Sequence, residues 1–179
     1  MMNLKMHTRK NLLLCLMCGL LLVALFVNQA KAAEHNLSFA VSGVVASVKV
    51  KIGDQVKVGT VLAVLDLTPF NAVKRSTEAA SSLAKLMLDI SEVRLNQAQE
   101  LYNALSTSGE EVEKARIEYE KALSGYQNAL SQDEIATWRL QQATLKAPFF
   151  GRVSAVPGYP GIVINTSAGN QAVVVVRKQ

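Results

Sequence analysis

From Phe70 to Gln142 the chain contains no proline and only two glycines, Gly109 and Gly125. Seventy-odd residues so poor in helix breakers are committed to long helices, which cannot be wrapped into a small globule. Thr68 is placed to cap the first helix, with Pro69 at the opening position where a missing N–H costs nothing. Apolar residues then recur at three and four spacing: Ala80, Leu83, Met87 and Ile90, then the polar Arg94 and Gln97, then Leu101 and Ala104. So narrow a stripe predicts a two-helix coiled-coil seam rather than the broad face of a core helix. Ser106-Thr107-Ser108-Gly109 reads as the turn. A second helix follows, its seam running through Val112, Ala115, Tyr119, Ala122 or Leu123, Tyr126, Ala129 or Leu130, and Leu140. Glu110, Glu111 and Glu113 suit the positive end of its dipole, and Glu110 can pair with Lys114 one turn on. Two helices joined by so short a turn run antiparallel, as a hairpin roughly 50 Å long. Gly125 and the polar seam residues Arg94, Gln97 and Asp133 are expected to weaken it, so that it gains order by packing sideways against copies of itself or a partner.

The flanks have a different period. Val48, Val50 and Ile52 alternate with Lys49 and Lys51, the pattern of a strand with one wet face, and Gly53-Asp54 and Gly59-Thr60 punctuate the valine-rich run that ends at Leu65. Strand signatures return after Gln142, from Ala143 through Pro148 and Gly151 to Val153, at Ile162–Ile164 and at Val173–Val176, with Pro157-Gly158 and Pro160-Gly161 as turns. Gly43-x-Val45-x-x-Val48 and Gly151-x-Val153-x-x-Val156 share a spacing. Neither flank holds enough strands to stand alone. The economical arrangement is an α+β chain in which the flanks close on each other as one sandwich and the hairpin is inserted between them.

Residues 1–32 have the three parts of an export signal: a cationic start, the apolar run Leu12–Val27, and the small residues Ala30 and Ala32 before Ala33. Cleavage after Ala32 and retention as an anchor both place the body beyond a membrane. Most of the net charge of +5 also resides there, because Lys5, Arg9, Lys10 and Lys31 precede Ala33 and no acid does, which leaves the rest of the chain at +1. The body is nearly neutral and poor in aromatics, which argues against a nucleic-acid partner. Both cysteines, Cys15 and Cys18, lie in the apolar run, so the body has neither disulfides nor a thiol nucleophile. Its one histidine, His35, is expected on solvated surface near a frayed end. Phosphate-binding glycine motifs do not occur, and no enzyme, metal or cofactor is expected.

In the order given, Leu37–Val45, Gly53–Asp66 and Ala143–Val153, separated by a helical hairpin, resemble the periplasmic adaptor family, the HlyD-like membrane fusion proteins of efflux pumps and type I secretion systems. The resemblance implies a biotinyl/lipoyl-like β-sandwich in two halves, residues 37–68 and 143–179, interrupted by the hairpin at residues 69–142. Gly43, Gly53, Asp54, Gly59, Pro148 and Gly151 would be its structural turns. The lysine that carrier domains of this fold present has no counterpart, so covalent lipoate or biotin is not implied, and Lys49, Lys51 and Lys57 read as the wet face of strands. It further implies a periplasmic subunit associated with the inner membrane, forming a homo-oligomeric ring between an inner-membrane transporter and an outer-membrane channel of the TolC type. The family's tip motif is Arg, Leu four residues on, and Ser seven after that. Leu101 and Ser108 match, whereas Gln97 stands in the arginine position. Ser108 with Glu111 is equally a capping box. Family members continue into a β-barrel and a membrane-proximal domain, so a chain ending at Gln179 reads as a truncated, split or minimal adaptor. The competing expectation is an exported coiled-coil binding protein with no transport role.

Overall fold

The computed structural model describes residues 33–169 and 171–178. The signal or anchor expected over residues 1–32 lies outside them. Among the described residues no helix is long and apolar enough to cross a membrane.

Eight strands and two long helices follow in order: β1 (Glu34–Leu37), β2 (Gly43–Val48), β3 (Gln55–Val56), β4 (Val61–Leu65), α1 (Thr68–Asn103), α2 (Gly109–Gln142), β5 (Thr144–Lys146), β6 (Gly151–Ala155), β7 (Val163–Ile164) and β8 (Val174–Lys178). They form two antiparallel sheets, ordered β1-β8-β6-β3 and β5-β4-β2-β7. Each sheet therefore takes two strands from before the helices and two from after them. One core cluster draws on both sheets, with Val56, Val153, Val174 and Val176 from the first and Val45, Leu62, Leu65 and Ile164 from the second. Burial of these alternating aliphatics is the main favourable term for so small a body.

Two turns built alike latch the segments together. Gly53 and Gly59 take φ values of +94° and +83° that only glycine adopts freely. In each turn the following residue closes the ring: the Lys51 N–H donates to Asp54 Oδ2 at 2.8 Å, and the Lys57 N–H donates to Thr60 Oγ1 at 3.0 Å. The glycine N–H groups then donate across to Val153 O (2.9 Å) and Ala147 O (2.8 Å), and the Val153 and Ala147 N–H groups donate back to Asp54 O and Thr60 O. Pro148, which has no N–H to place, follows Ala147 on the surface. Gly151 answers a different need. A Cβ there would lie 2.5 Å from the carbonyl oxygen of Arg177 and 2.7 Å from Val176 Cγ1, so β6 and β8 approach as closely as they do only because position 151 has no side chain. Gly43 is similarly tight against Leu65 Cδ1, at 3.1 Å for an added Cβ.

Two local expectations are corrected. Thr68 does not cap α1: the cap position is Leu67, with no side-chain hydrogen bond, and Thr68 is the first helical residue. Asp66 does the related work, its Oδ1 accepting the Thr68 N–H at 2.9 Å, a bond that holds the Asp66 carboxyl below its ordinary range. His35 is not frayed. It lies in β1, paired with Val176, and its ring meets Phe149 edge-on at 4.9 Å between centroids.

Candidate docking site

The helices are 36 and 34 residues long, about 50 Å each at 1.5 Å per residue. Leu67 and Phe70, at the root of α1, pack on the sandwich core, so the rod is anchored at its base. On α2 the shielded positions are Val112, Ala115, Tyr119, Ala122, Tyr126, Ala129, Asp133, Ala136 and Leu140, along the predicted seam. On α1 they are Lys74, Thr77, Ser81, Ala84, Leu88, Ser91, Leu95 and Ala98, each of the last six one residue beyond the predicted seam. One residue is about 100° of helix rotation. Leu83, Met87, Ile90 and Leu101, expected to face α2, are instead 54%, 57%, 46% and 51% exposed. The reason is size. Small residues on α1 leave room for Tyr119 and Tyr126 of α2, and helices close most tightly along their smallest side chains. Leu86 and Val93 are also about half exposed, and with the displaced residues they form an apolar stripe along the outside of α1.

Asp133, expected to weaken the seam, is paired within it. Lys74 Nζ donates to Oδ1 at 2.8 Å and Oδ2 at 2.9 Å, and the Thr77 hydroxyl donates to Oδ1 at 2.9 Å. The Lys74 ammonium, and after it the Thr77 hydroxyl, hold the Asp133 carboxyl below its ordinary range, while Asp133 raises Lys74. A fork of this kind at the rod's base fixes one stagger of α1 on α2, because any slip strands a charge. Arg94, by contrast, is exposed and reaches Glu118 across the helices at 3.7 Å.

The structure brings the three sequence-predicted tip residues to the far end of the rod without joining them into one cluster. Gln97 and Leu101 are exposed on the outer face of α1. Ser108 is the N-cap of α2, its Oγ accepting the Glu111 N–H at 3.4 Å, so the capping role is present. Lys114 reaches Glu110 at 3.0 Å and Glu111 at 2.9 Å. Between Glu100 and Glu110 there is no charged side chain. One residue escaped the sequence reasoning. The Leu105 N–H donates to Tyr102 O and the Ser106 N–H to Leu101 O, both at 2.9 Å, which are the paired bonds of a Schellman cap. The left-handed position of that cap, ordinarily glycine, is Leu105 at φ +57°, and its side chain is 94% exposed. The available signal was that a helix reversing between Asn103 and Ser108 needs a positive φ and the chain offers no glycine before Gly109.

Among the described residues no group of three or more His, Cys, Asp and Glu side chains is placed to hold a metal ion. A family model described as CzcB-like, barrel-sandwich hybrid domain matches residues 34–174. Among solved structures, the membrane fusion protein Spr0693 from Streptococcus pneumoniae R6 aligns with a TM-score of 0.64 at 20% identity, over 82% of this chain and 59% of that one. A MacA-MexA chimeric protein containing the Pseudomonas aeruginosa MexA α-hairpin domain aligns with a TM-score of 0.59 at 22% identity, over 82% and 46%. ZneB from Cupriavidus metallidurans aligns with a TM-score of 0.54 at 20% identity, over 84% and 45%. At such identities the likeness is one of fold, and the chain spans about half the length of each. No curated protein matches.

Proposed function

The chain belongs to the CzcB-like barrel-sandwich hybrid family of membrane fusion proteins, or periplasmic adaptors, and from that premise we propose that it is the adaptor subunit of a tripartite efflux or secretion assembly. In this reading residues 37–68 and 143–179 form one lipoyl-like sandwich on the side of an inner-membrane transporter, in the periplasm and associated with the inner membrane. The coiled-coil hairpin of residues 69–142 reaches outward, and its tip, with Gln97, Leu101 and Ser108, meets an outer-membrane channel of the TolC type. Copies stand side by side in a ring whose rods wall a sealed conduit. The work is mechanical, and the energy comes from the transporter.

The observation that carries the reading is an uncharged apex held about 50 Å from a root seated in the sandwich core. Beyond its root a rod of that length projects away from the sandwich; it sets a distance. The outward stripe on α1 supports the ring, because exposed aliphatics at helical spacing are the surface a neighbouring rod would cover. The capping role of Ser108 does not compete with docking, since a capped, fixed helix start presents a defined surface. In cells, a Leu101→Cys or Ser108→Cys chain is expected to cross-link to an outer-membrane channel. A tip that reacts freely with solvent reagents and captures no channel would favour an exported coiled-coil binding protein without a transport role.

A further inference from the structure

We propose that Leu105 is the apolar anchor of the apex, inserting end-on into an uncharged pocket of the partner channel; this rests on the docking reading above. Three observations converge on it. The residue is held at φ +57°, a conformation that a leucine adopts only against its own steric preference, by the two capping hydrogen bonds from its own N–H and that of Ser106. Its side chain is 94% exposed, so nothing among the described residues offsets either the strain or the wetted surface. Around it, Leu101 and Tyr102 are half exposed, while Ser106 and Ser108 supply hydroxyls, which together make a small apolar patch with a polar rim.

Glycine or asparagine would close the same turn at less cost. A leucine there trades stability of the free chain for contact with something outside it. The absence of charge from Leu101 to Gly109 argues for a cleft of matching neutrality rather than an anionic lipid surface, which selects lysine and arginine. Rods that stand parallel in a ring also leave their apices facing away from each other's bodies, toward a second protein.

The test uses the full chain with Asn103→Cys, an exposed position beside the apex, as reporter, cross-linked in the native cells, with the captured species identified by mass. Leu105→Gly and Leu105→Asn both fit the left-handed turn. Each is expected to leave the thermal midpoint unchanged or raised, while lowering capture of the channel at least about tenfold. Capture that survives both substitutions overturns the proposal, as does a loss that only follows a fall in thermal midpoint, which would make Leu105 a structural residue. Apices that cross-link to each other, or label from lipid-soluble reagents, also overturn it. If the Asn103→Cys chain captures no channel even with Leu105 in place, the docking reading itself fails.

Discussion

Leu88 and Ile90 sit two residues apart on α1 and face opposite ways, 8% and 46% exposed. Sequence periodicity assigns Ile90 to the seam; the structure assigns Leu88. Truncating a buried leucine removes its transfer free energy and leaves a cavity, about 2–5 kcal/mol. In a seam otherwise built largely of alanine and serine on the α1 side, Leu88→Ala is therefore expected to melt the rod. Ile90→Ala should change the free chain by less than about 0.5 kcal/mol, since alanine is the better helix former and little buried surface is lost. In the proposed ring the outer stripe is the surface a neighbouring rod would cover. Leu83, Met87 and Ile90 are each about half exposed, so covering the remainder is worth about 1 kcal/mol apiece. Replacing all three with alanine then removes about 3 kcal/mol, a more than hundredfold weaker association, roughly. Circular dichroism melts report the rod, and sedimentation velocity reports self-association. The reasoning is refuted if the triple variant loses helicity as far as Leu88→Ala does, or if it associates as strongly as the unaltered chain.

Gly151→Ala should destabilise the sandwich by about 1–3 kcal/mol through overpacking against β8, measured by denaturant midpoint, whereas Gly53→Ala, which meets no neighbour but keeps φ +94°, should cost about 1–2 kcal/mol. The Asp133 carboxyl is lowered from 3.8 in the folded chain, so its contribution is complete above 3.8 and disappears as pH falls through the lower folded value. Lys74, raised from 10.5, contributes fully below 10.5 and loses that contribution as pH rises through its higher folded value. Helicity should accordingly hold between those limits, and Asp133→Asn should flatten the acid-side decline; an acid titration of the variant that matches the unaltered chain would count against the pin. Crossing Leu105→Gly into the Leu83, Met87 and Ile90 triple should leave the association defect unchanged if, as proposed, apex and stripe meet different partners.

Much of this was legible along the chain because it is decided locally. Helix continuity from Phe70 to Gln142 follows from the missing breakers. The turns at Gly53 and Gly59 follow from a glycine beside a side chain that accepts from the backbone three residues back. The α2 seam was readable because its tyrosines and alanines recur at heptad spacing. The first seam was not, because periodicity weights residues by hydrophobicity whereas a packed helix pair selects them by fit, and on α1 the two criteria point about 100° apart. Asp133 looked like a weak point for the same reason: its partner Lys74 is fifty-nine residues away. Of the candidate tip, Gln97, Leu101 and Ser108 were named through the family resemblance, while Leu105 was not, since its backbone conformation is imposed by the reversal and leaves no mark in its own side chain.

The linear order of residues thus determined where the chain is helical and where it turns, both of which depend on neighbours within a few positions. Tertiary structure decided which side of α1 is covered, which polar residues are satisfied and which leucine stands unprotected at the end of the rod. Those outcomes depend on surfaces brought together from distant parts of the chain, where shape complementarity outweighs hydrophobicity alone.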